Sequence, residues 1–322
     1  MEPVQPYPTE GTDRDRWILD RRPPRNRLDP YRPYAFVVEQ ERSNTGEVVS
    51  VATVLLTNRE CPWRCVMCDL WRNTLPQAVP LGAIPEQIAY ALARLAPATH
   101  LKLYNSGSFF DPRAIPRADY PSIASAARQF ERVIVESHPA LVGDRCLEFR
   151  DLVRRELEVA IGLETVHEEA LRQLNKRATL AQFREAADLL LREQIDLRVF
   201  ILVQPPFVPA AEALLWAERS LDFAFECSAT AVSLIATRAG NGAMETLAAQ
   251  GLFRSPELSV IEAAFHYGLC LAKGRVFVDL WDIEKVPTCP HCRSLRIDRL
   301  RLMNLSQVIA PAIACVLCGG SA

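Results

Sequence analysis

The sequence predicts an α/β fold built from about six βα units that close, fully or partly, into a barrel. Three observations predict it. The chain has 322 residues, enough for one large α/β domain of barrel size or two smaller domains. From residue 48 onward, short apolar or β-branched runs alternate with segments of helical periodicity. The composition, 49% hydrophobic and 24% charged, is that of an ordinary globular chain with a substantial core. Strands separated by helices pair in parallel through right-handed crossovers. An open doubly wound sheet has the same periodicity, so it stands beside the barrel at this stage.

The elements follow in order. Residues 1–47 are rich in proline and arginine (RRPPRNRLDPYRPY) and show no sustained periodicity. They read as an arm that lies over the domain or stays partly mobile. The core, 48–286, opens with a strand at 48–56. A helix at 85–95 carries Pro85 in its first turn and places Ile88, Ala91, Leu92 and Leu95 on one face. Further strands are expected at 101–104, 132–135, 157–163, 197–203 and 231–236, with helices at 120–130, 180–193, 210–225 and 259–272. Thr179 and Gln182 form the clearest helix start, a capping box that leads into Phe183, Ala187, Leu190 and Leu191. A late apolar run at 275–280 leads to Asp279, Trp281 and Asp282. Residues 287–322 form a small cysteine-rich segment.

The net charge of −2 gives no global attraction to nucleic acid or to an anionic membrane. No apolar run is long enough to span a bilayer, and the N-terminus lacks the basic start and apolar stretch of a secretory signal. The expected location is cytoplasmic. Of ten cysteines, seven fall in three tight groups, and Cys146, Cys227 and Cys270 stand alone as core filler. In a reducing compartment, closely spaced thiols bind metal or do redox work.

Cys61, Cys65 and Cys68 lie just after the first expected strand. Three thiolates within eight residues suit three irons of a cubane and leave the fourth iron open, the mark of a catalytic centre. A zinc site with a distant fourth ligand, or an electron-transfer cluster, fits the same spacing. Polar residues recur at the C-terminal ends of the following strands, the face that carries chemistry in such barrels. They are Asn105, Ser106, Gly107 and Ser108; Glu136 and His138; Glu164, with Lys176 beyond it; Gln204; and Arg238 with Asn241. Plain turns, helix-capping carboxylates and solvated loops are the competing structural readings.

The Cys-x3-Cys-x2-Cys loop after the first strand of a βα repeat resembles the radical S-adenosylmethionine superfamily. The resemblance implies a partial (β/α)6 TIM-type barrel, a [4Fe–4S] cluster on the triplet, and S-adenosylmethionine held on the open iron. An electron from the reduced cluster then breaks the sulfonium C–S bond, and the 5′-deoxyadenosyl radical abstracts hydrogen from a substrate. A reductase, flavodoxin or ferredoxin would supply that electron. The chain departs from the pattern at Met67, which is usually aromatic, and at residues 105–108, where a Gly-Gly-Glu segment is usual. The resemblance assigns Met67, Asn105, Ser106, Gly107, Ser108, Glu136, Glu164 and Gln204 to the cofactor. It leaves His138, Lys176, Arg238 and Asn241 for the substrate.

Leu-Thr-Asn-Arg at 56–59, Cys-Asp-Leu-Trp at 68–71, Ser-Gly-Ser-Phe at 106–109, Glu-Ser-x-Pro at 136–139, Gly-Leu-Glu-Thr at 162–165 and Leu-Asn-Lys at 174–176 narrow the likeness. They resemble the elongator-type branch and its archaeosine synthase radical subunits. That implies a lyase or transferase acting on a modified nucleoside or tRNA, with a partner enzyme subunit.

Cys289 and Cys292 pair with Cys315 and Cys318 across twenty-two residues. This suits a four-thiolate zinc site whose linker resembles a compact ribbon, and an auxiliary iron–sulfur cluster needs the same four ligands. Arg293, Arg296, Arg299 and Arg301 between them touch phosphate or form a solvated face. A zinc-stabilised RNA-binding protein with structural cysteines throughout is the reading from another class.

Overall fold

The computed structural model describes residues 6–318. Eight strands form one sheet in strict sequence order: β1 (Ala35–Arg42), β2 (Val48–Leu55), β3 (His100–Tyr104), β4 (Arg132–Ser137), β5 (Glu156–Glu164), β6 (Asp196–Val203), β7 (Ala231–Ala236) and β8 (Arg275–Val278). β1 runs antiparallel to β2, and every later pair is parallel. A doubly wound sheet must reverse its strand order. This one never does, so each crossover moves the chain one strand further round a curl.

The curl brings the two edges within side-chain reach. Arg198 of β6 pairs with Glu41 of β1 at 2.5 Å, and Arg275 of β8 donates to the Arg42 carbonyl at 3.2 Å. Among the described residues no ladder joins β1 to β8, so the barrel is partial.

Alternation along each strand sorts the residues. Leu101, Leu103, Val133, Val135, Val159, Ile161, Val199 and Ile201 face the helices in the main core. The alternate residues point inward, and at the N-terminal mouth they are charged. Glu158 there takes Arg132, Arg198 and Arg275, while Lys102 pairs with Glu39 and Glu41. Each buried charge thus has an opposite partner, as burial demands. Above that plug Tyr104 and Phe200 meet edge to face at 6.0 Å. The opposite mouth carries Glu136, Glu164 and Gln204.

Outside the sheet lie α1 (Gly11–Leu19), α2 (Ala83–Leu92), α3 (Tyr120–Ala127), α4 (Asp144–Val153), α5 (Glu168–Gln173), α6 (Leu180–Arg192), α7 (Ala213–Glu226), α8 (Ala243–Ala249), α9 (Leu258–Leu271) and α10 (Arg293–Ser306). The Thr179–Gln182 capping box is formed in both directions.

Several expectations are corrected. Ordered elements begin well before residue 48, with α1 and β1. The hydrophobic side of α1 amounts to Trp17 and Ile18, and its order comes from polar contacts that periodicity cannot register. α4 buries only Cys146, Phe149 and Val153, too narrow a stripe to stand out. The segment between the last cysteine pairs is the helix α10 and not a ribbon. Within it Arg299 is buried on the Ala310 carbonyl and Arg296 pairs with Glu262, so neither belongs to a solvated basic face. Cys146 and Cys227 are buried as core filler, whereas Cys270 is exposed. No helix among the described residues is long and apolar enough to cross a membrane.

Candidate functional site

Cys61, Cys65 and Cys68 sit in irregular backbone at the C-terminal end of β2, each partly buried. Such a loop has few backbone bonds of its own, and side chains from elsewhere hold it. Glu60 accepts Arg22 at 2.6 Å and Arg64 at 3.2 Å, and also pairs with Arg25. Asn175 Nδ2 donates to the Arg64 carbonyl at 2.8 Å, and the Val66 N–H donates to the Leu174 carbonyl at 2.9 Å. Asn241 Nδ2 donates to the carbonyls of Val66 at 2.7 Å and Cys68 at 3.1 Å. Trp63 stacks on His138, with ring centroids 3.6 Å apart and planes 10° from parallel. Burial pushes all three thiols up to about 12, so they need a partner such as a metal to ionise at neutral pH.

The β3 end packs directly on this loop. A Cβ added to Gly107 would meet Cys61 Cβ at 3.2 Å, which is why glycine stands there. Asn105 and Asn58 exchange hydrogen bonds, Asn58 Nδ2 to the Asn105 carbonyl at 2.7 Å and Asn105 Nδ2 to Asn58 Oδ1 at 2.9 Å. Glu136 Oε1 accepts the Asn105 N–H at 2.6 Å and the Gly107 N–H at 3.3 Å. Burial raises its carboxyl to about 7, although these backbone donors pull the other way. Ser106 Oγ lies 3.1 Å from the Tyr34 hydroxyl, and Ser108 Oγ lies 2.9 Å from Ser137 Oγ.

At the β5 end, Lys176 and Glu164 form a buried ion pair at 2.5 Å. A Cβ on Gly162 would overlap Glu164 Oε1 and Lys176 Nζ, so glycine makes the space for the pair. Burial works against the Lys176 ammonium, but the charge of Glu164 outweighs it and holds its pKa above the ordinary value. His138 accepts the Ala140 N–H on Nδ1 at 3.2 Å, so its Nε2, 3.1 Å from the Lys176 carbonyl, is the protonated nitrogen. Burial first, and Lys176 second, depress His138 to about 3 and keep it neutral.

Ser106, Glu164 and Gln204 all adopt left-handed backbone, at φ 55°, 67° and 56°, on three strand ends of this one mouth. Such conformations cost roughly 1–2 kcal/mol each and gather where a site over-determines them. Asn105 Oδ1, Thr57 Oγ1 and Thr237 Oγ1, at the ends of β3, β2 and β7 on the same mouth, are buried with no protein partner. The donor set therefore fits a thiolate-bound cluster with a polar cofactor beside it.

The other expected residues divide. Gln204 donates to the Arg254 carbonyl at 2.6 Å, Met67 packs against the small apolar cluster that includes Trp17 and Val66, and Arg238 reaches Asp69 at 3.6 Å. The sequence reading passed over Glu60, Trp63, Tyr34 and Tyr7. Glu60 and Trp63 were within view, one beside the first cysteine and one inside the motif. Tyr7 and Tyr34 lie in the arm and carry no motif.

At the far end, the Sγ atoms of Cys289, Cys292, Cys315 and Cys318 all lie within 4.8 Å of one another. They form a four-thiolate group able to bind metal.

No protein-family model matches the chain. An uncharacterized protein of Methanocaldococcus jannaschii is 24% identical over 304 residues, 87% of this chain and 83% of that one. Archaeosine synthase subunit beta of Methanosarcina acetivorans is 27% identical over 284 residues, covering 81% and 80%. Among solved structures, Methanocaldococcus infernus Elp3 lacking residues 1–46 superposes with a TM-score of 0.50 at 11% identity, over 68% of this chain and 59% of that one. Methylornithine synthase (PylB) gives a TM-score of 0.50 at 15% identity, over 68% and 63%. This chain therefore spans about three fifths of either structure and shares their fold. The chain is thus similar over most of its length to archaeosine synthase subunit beta, and it has the fold of Elp3 and methylornithine synthase.

Proposed function

We propose that this chain is a radical S-adenosylmethionine enzyme that acts on a modified nucleoside, free or within tRNA, together with a partner subunit. The observation that carries the chemistry is the three-cysteine loop at the mouth of a partial barrel, packed against Gly107, with unpartnered buried acceptors at the ends of β2, β3 and β7. A [4Fe–4S] cluster on Cys61, Cys65 and Cys68 would supply the electron that cleaves S-adenosylmethionine. The nucleoside and the partner subunit rest on the likeness to archaeosine synthase subunit beta.

The chain's own residues position and shield. Glu60, Asn175 and Asn241 keep the cysteine loop in place, so the three thiols stay poised for metal. Asn105 Oδ1, an acceptor without a protein donor, would accept from the cofactor's ammonium where the usual glutamate is missing. Glu136 holds residues 105–107 in the shape that lets Gly107 approach Cys61. Ser106, Ser108, Glu164 and Gln204 would line the cofactor side, and His138, Lys176 and Arg238 would border the substrate side. A reductase, flavodoxin or ferredoxin delivers the electron. The C-terminal thiols hold one zinc ion: Cys292 and Cys318 Sγ are 3.9 Å apart, against roughly 3.8 Å around a tetrahedral ion with ~2.3 Å bonds. A cubane would spread them over four irons.

The test is anaerobic reconstitution followed by dithionite and S-adenosylmethionine. About four irons should load on the triplet and 5′-deoxyadenosine should form. Cys65→Ala should abolish the product, and a fully loaded wild-type protein that makes none overturns the proposal.

A further inference from the structure

Trp281 is 65% exposed, just beyond β8 on the mouth that carries the cysteine loop. A tryptophan so placed leaves a large apolar face in water, and scattered exposure of this kind needs no explanation by itself. Here, however, the backbone beneath it is fixed on both sides. Asp279 Oδ1 accepts the Trp281 N–H at 3.0 Å, and Arg238 Nη1 donates to the Trp281 carbonyl at 3.4 Å. Arg238 Nε in turn reaches Asp69 Oδ2 at 3.6 Å, and Asp69 directly follows Cys68. A continuous line of contacts thus runs from the third cysteine to the exposed indole.

Arg238 has donors to spare. Two of its five N–H groups are engaged by these contacts, and its side chain is 34% exposed. The pair therefore offers an exposed indole whose backbone is anchored by a guanidinium with donors to spare. The carboxylates around it are engaged, Asp69 by Arg238, Asp282 by Lys285 and Asp279 by the Trp281 N–H, and so charged a setting is unlike the core of a protein–protein interface. A flat ring with an attached anion matches this combination: the ring stacks on the indole and the anion accepts from the guanidinium.

We propose that Trp281 and Arg238 form a nucleotide subsite at the barrel mouth, where a base stacks on Trp281 and its phosphate is held by Arg238. This rests on the nucleoside reading above and specifies where that substrate is gripped. The same chemistry is presented by a free nucleotide and by a nucleotide within RNA.

The experiment uses the full-length, cluster-loaded protein under anaerobic conditions, with guanosine monophosphate and an unmodified tRNA transcript as separate probes. Trp281→Ala should weaken binding roughly 5- to 160-fold, the range for loss of one base–aromatic stack, while Trp281→Phe keeps most of the affinity. Arg238→Gln should reduce the salt slope of tRNA binding by about one. A loss seen with both probes identifies a site for a lone nucleotide, and a loss with tRNA alone identifies one that reads RNA. Unchanged affinity in Trp281→Ala, or no binding of either probe by the wild type, overturns the subsite. Substrate-free 5′-deoxyadenosine formation by the same wild-type preparation keeps the two readings apart, since its absence overturns the radical chemistry and not the subsite alone.

Discussion

Replacing Lys176 with methionine should destabilise the fold and empty the cysteine loop together. Lys176 and Glu164 are each 7% exposed, and their charged atoms are 2.5 Å apart in a space that Gly162 leaves open. Methionine keeps the apolar stem and removes the charge, so Glu164 is left buried without its cation. Breaking a buried pair from one side costs roughly 3–5 kcal/mol. For a chain of this length the unfolding entropy near 60 °C is about 0.7 kcal/mol per kelvin. The melting temperature of the metal-free protein should therefore fall by about 4–7 °C. Leu174 and Asn175, next to Lys176, hold Val66 and Arg64 of the cysteine loop, so iron loading should drop as well. Thermal melts of Lys176→Met, Glu164→Gln and the double variant check this. The double variant removes both charges and should be less destabilised than the sum of the singles. Additive losses, or single-variant shifts below about 1 °C, would refute the idea that this pair supports the mouth.

Glu136 gives a pH prediction. Its folded value of about 7 lies above the ordinary carboxyl value near ~4.3, so stability present at low pH should be lost as pH rises through about 7. Glu136→Gln should flatten that decline in urea titrations at a series of pH values. Gly107→Ala forces a Cβ to 3.2 Å from Cys61 Cβ; it should cost roughly 1–3 kcal/mol and lower the iron and sulfide content on reconstitution. Cys292→Ser should remove one equivalent of tightly bound zinc by elemental analysis while leaving about four irons on the triplet.

Most strands were legible because their outward faces are β-branched or leucine and their ends are polar. Residues 231–236 match β7 at both ends, and the expected start of β4 at 132 is also observed. Parallel pairing followed from the alternation, but closure did not, because barrel and open sheet share a periodicity. The inward charges that distinguish them, such as Glu41 to Arg198, join residues 157 positions apart. The position of the triplet just beyond a strand was legible from the sequence, since the apolar run 48–56 ends a few residues before Cys61. The Lys176–Glu164 pair was not, since each residue was visible but their meeting depends on the register shift between Gly162 and Glu164 at the end of β5. Asn241, expected to border the substrate, spends its Nδ2 on the Val66 and Cys68 carbonyls, which no linear motif encodes.

The arm is the largest departure, and it changes what the site is made of. Tyr7 donates to the Gln173 carbonyl at 2.6 Å, Arg14 to the Arg172 carbonyl at 2.8 Å, and Asp15 takes Asn175 and Arg177. Arg22 and Arg25 close on Glu60, and Arg72 of the cysteine loop's continuation donates to the Gly240 carbonyl. An added Cβ at Gly242 would overlap the Arg21 carbonyl, so this loop too is moulded to the arm. Residues 7–25 therefore bind the loops that follow β2, β5 and β7 into one surface. Individually these bonds contribute about 1 kcal/mol each. Their combined effect is to convert three mobile loop ends into a rigid wall behind the cysteines. A loop that must present three thiols in fixed geometry, with scarcely any ladder of its own, requires such a wall. The proline- and arginine-rich composition supplies it through guanidinium donors to carbonyls and carboxylates, without the apolar periodicity that marks a conventional core element.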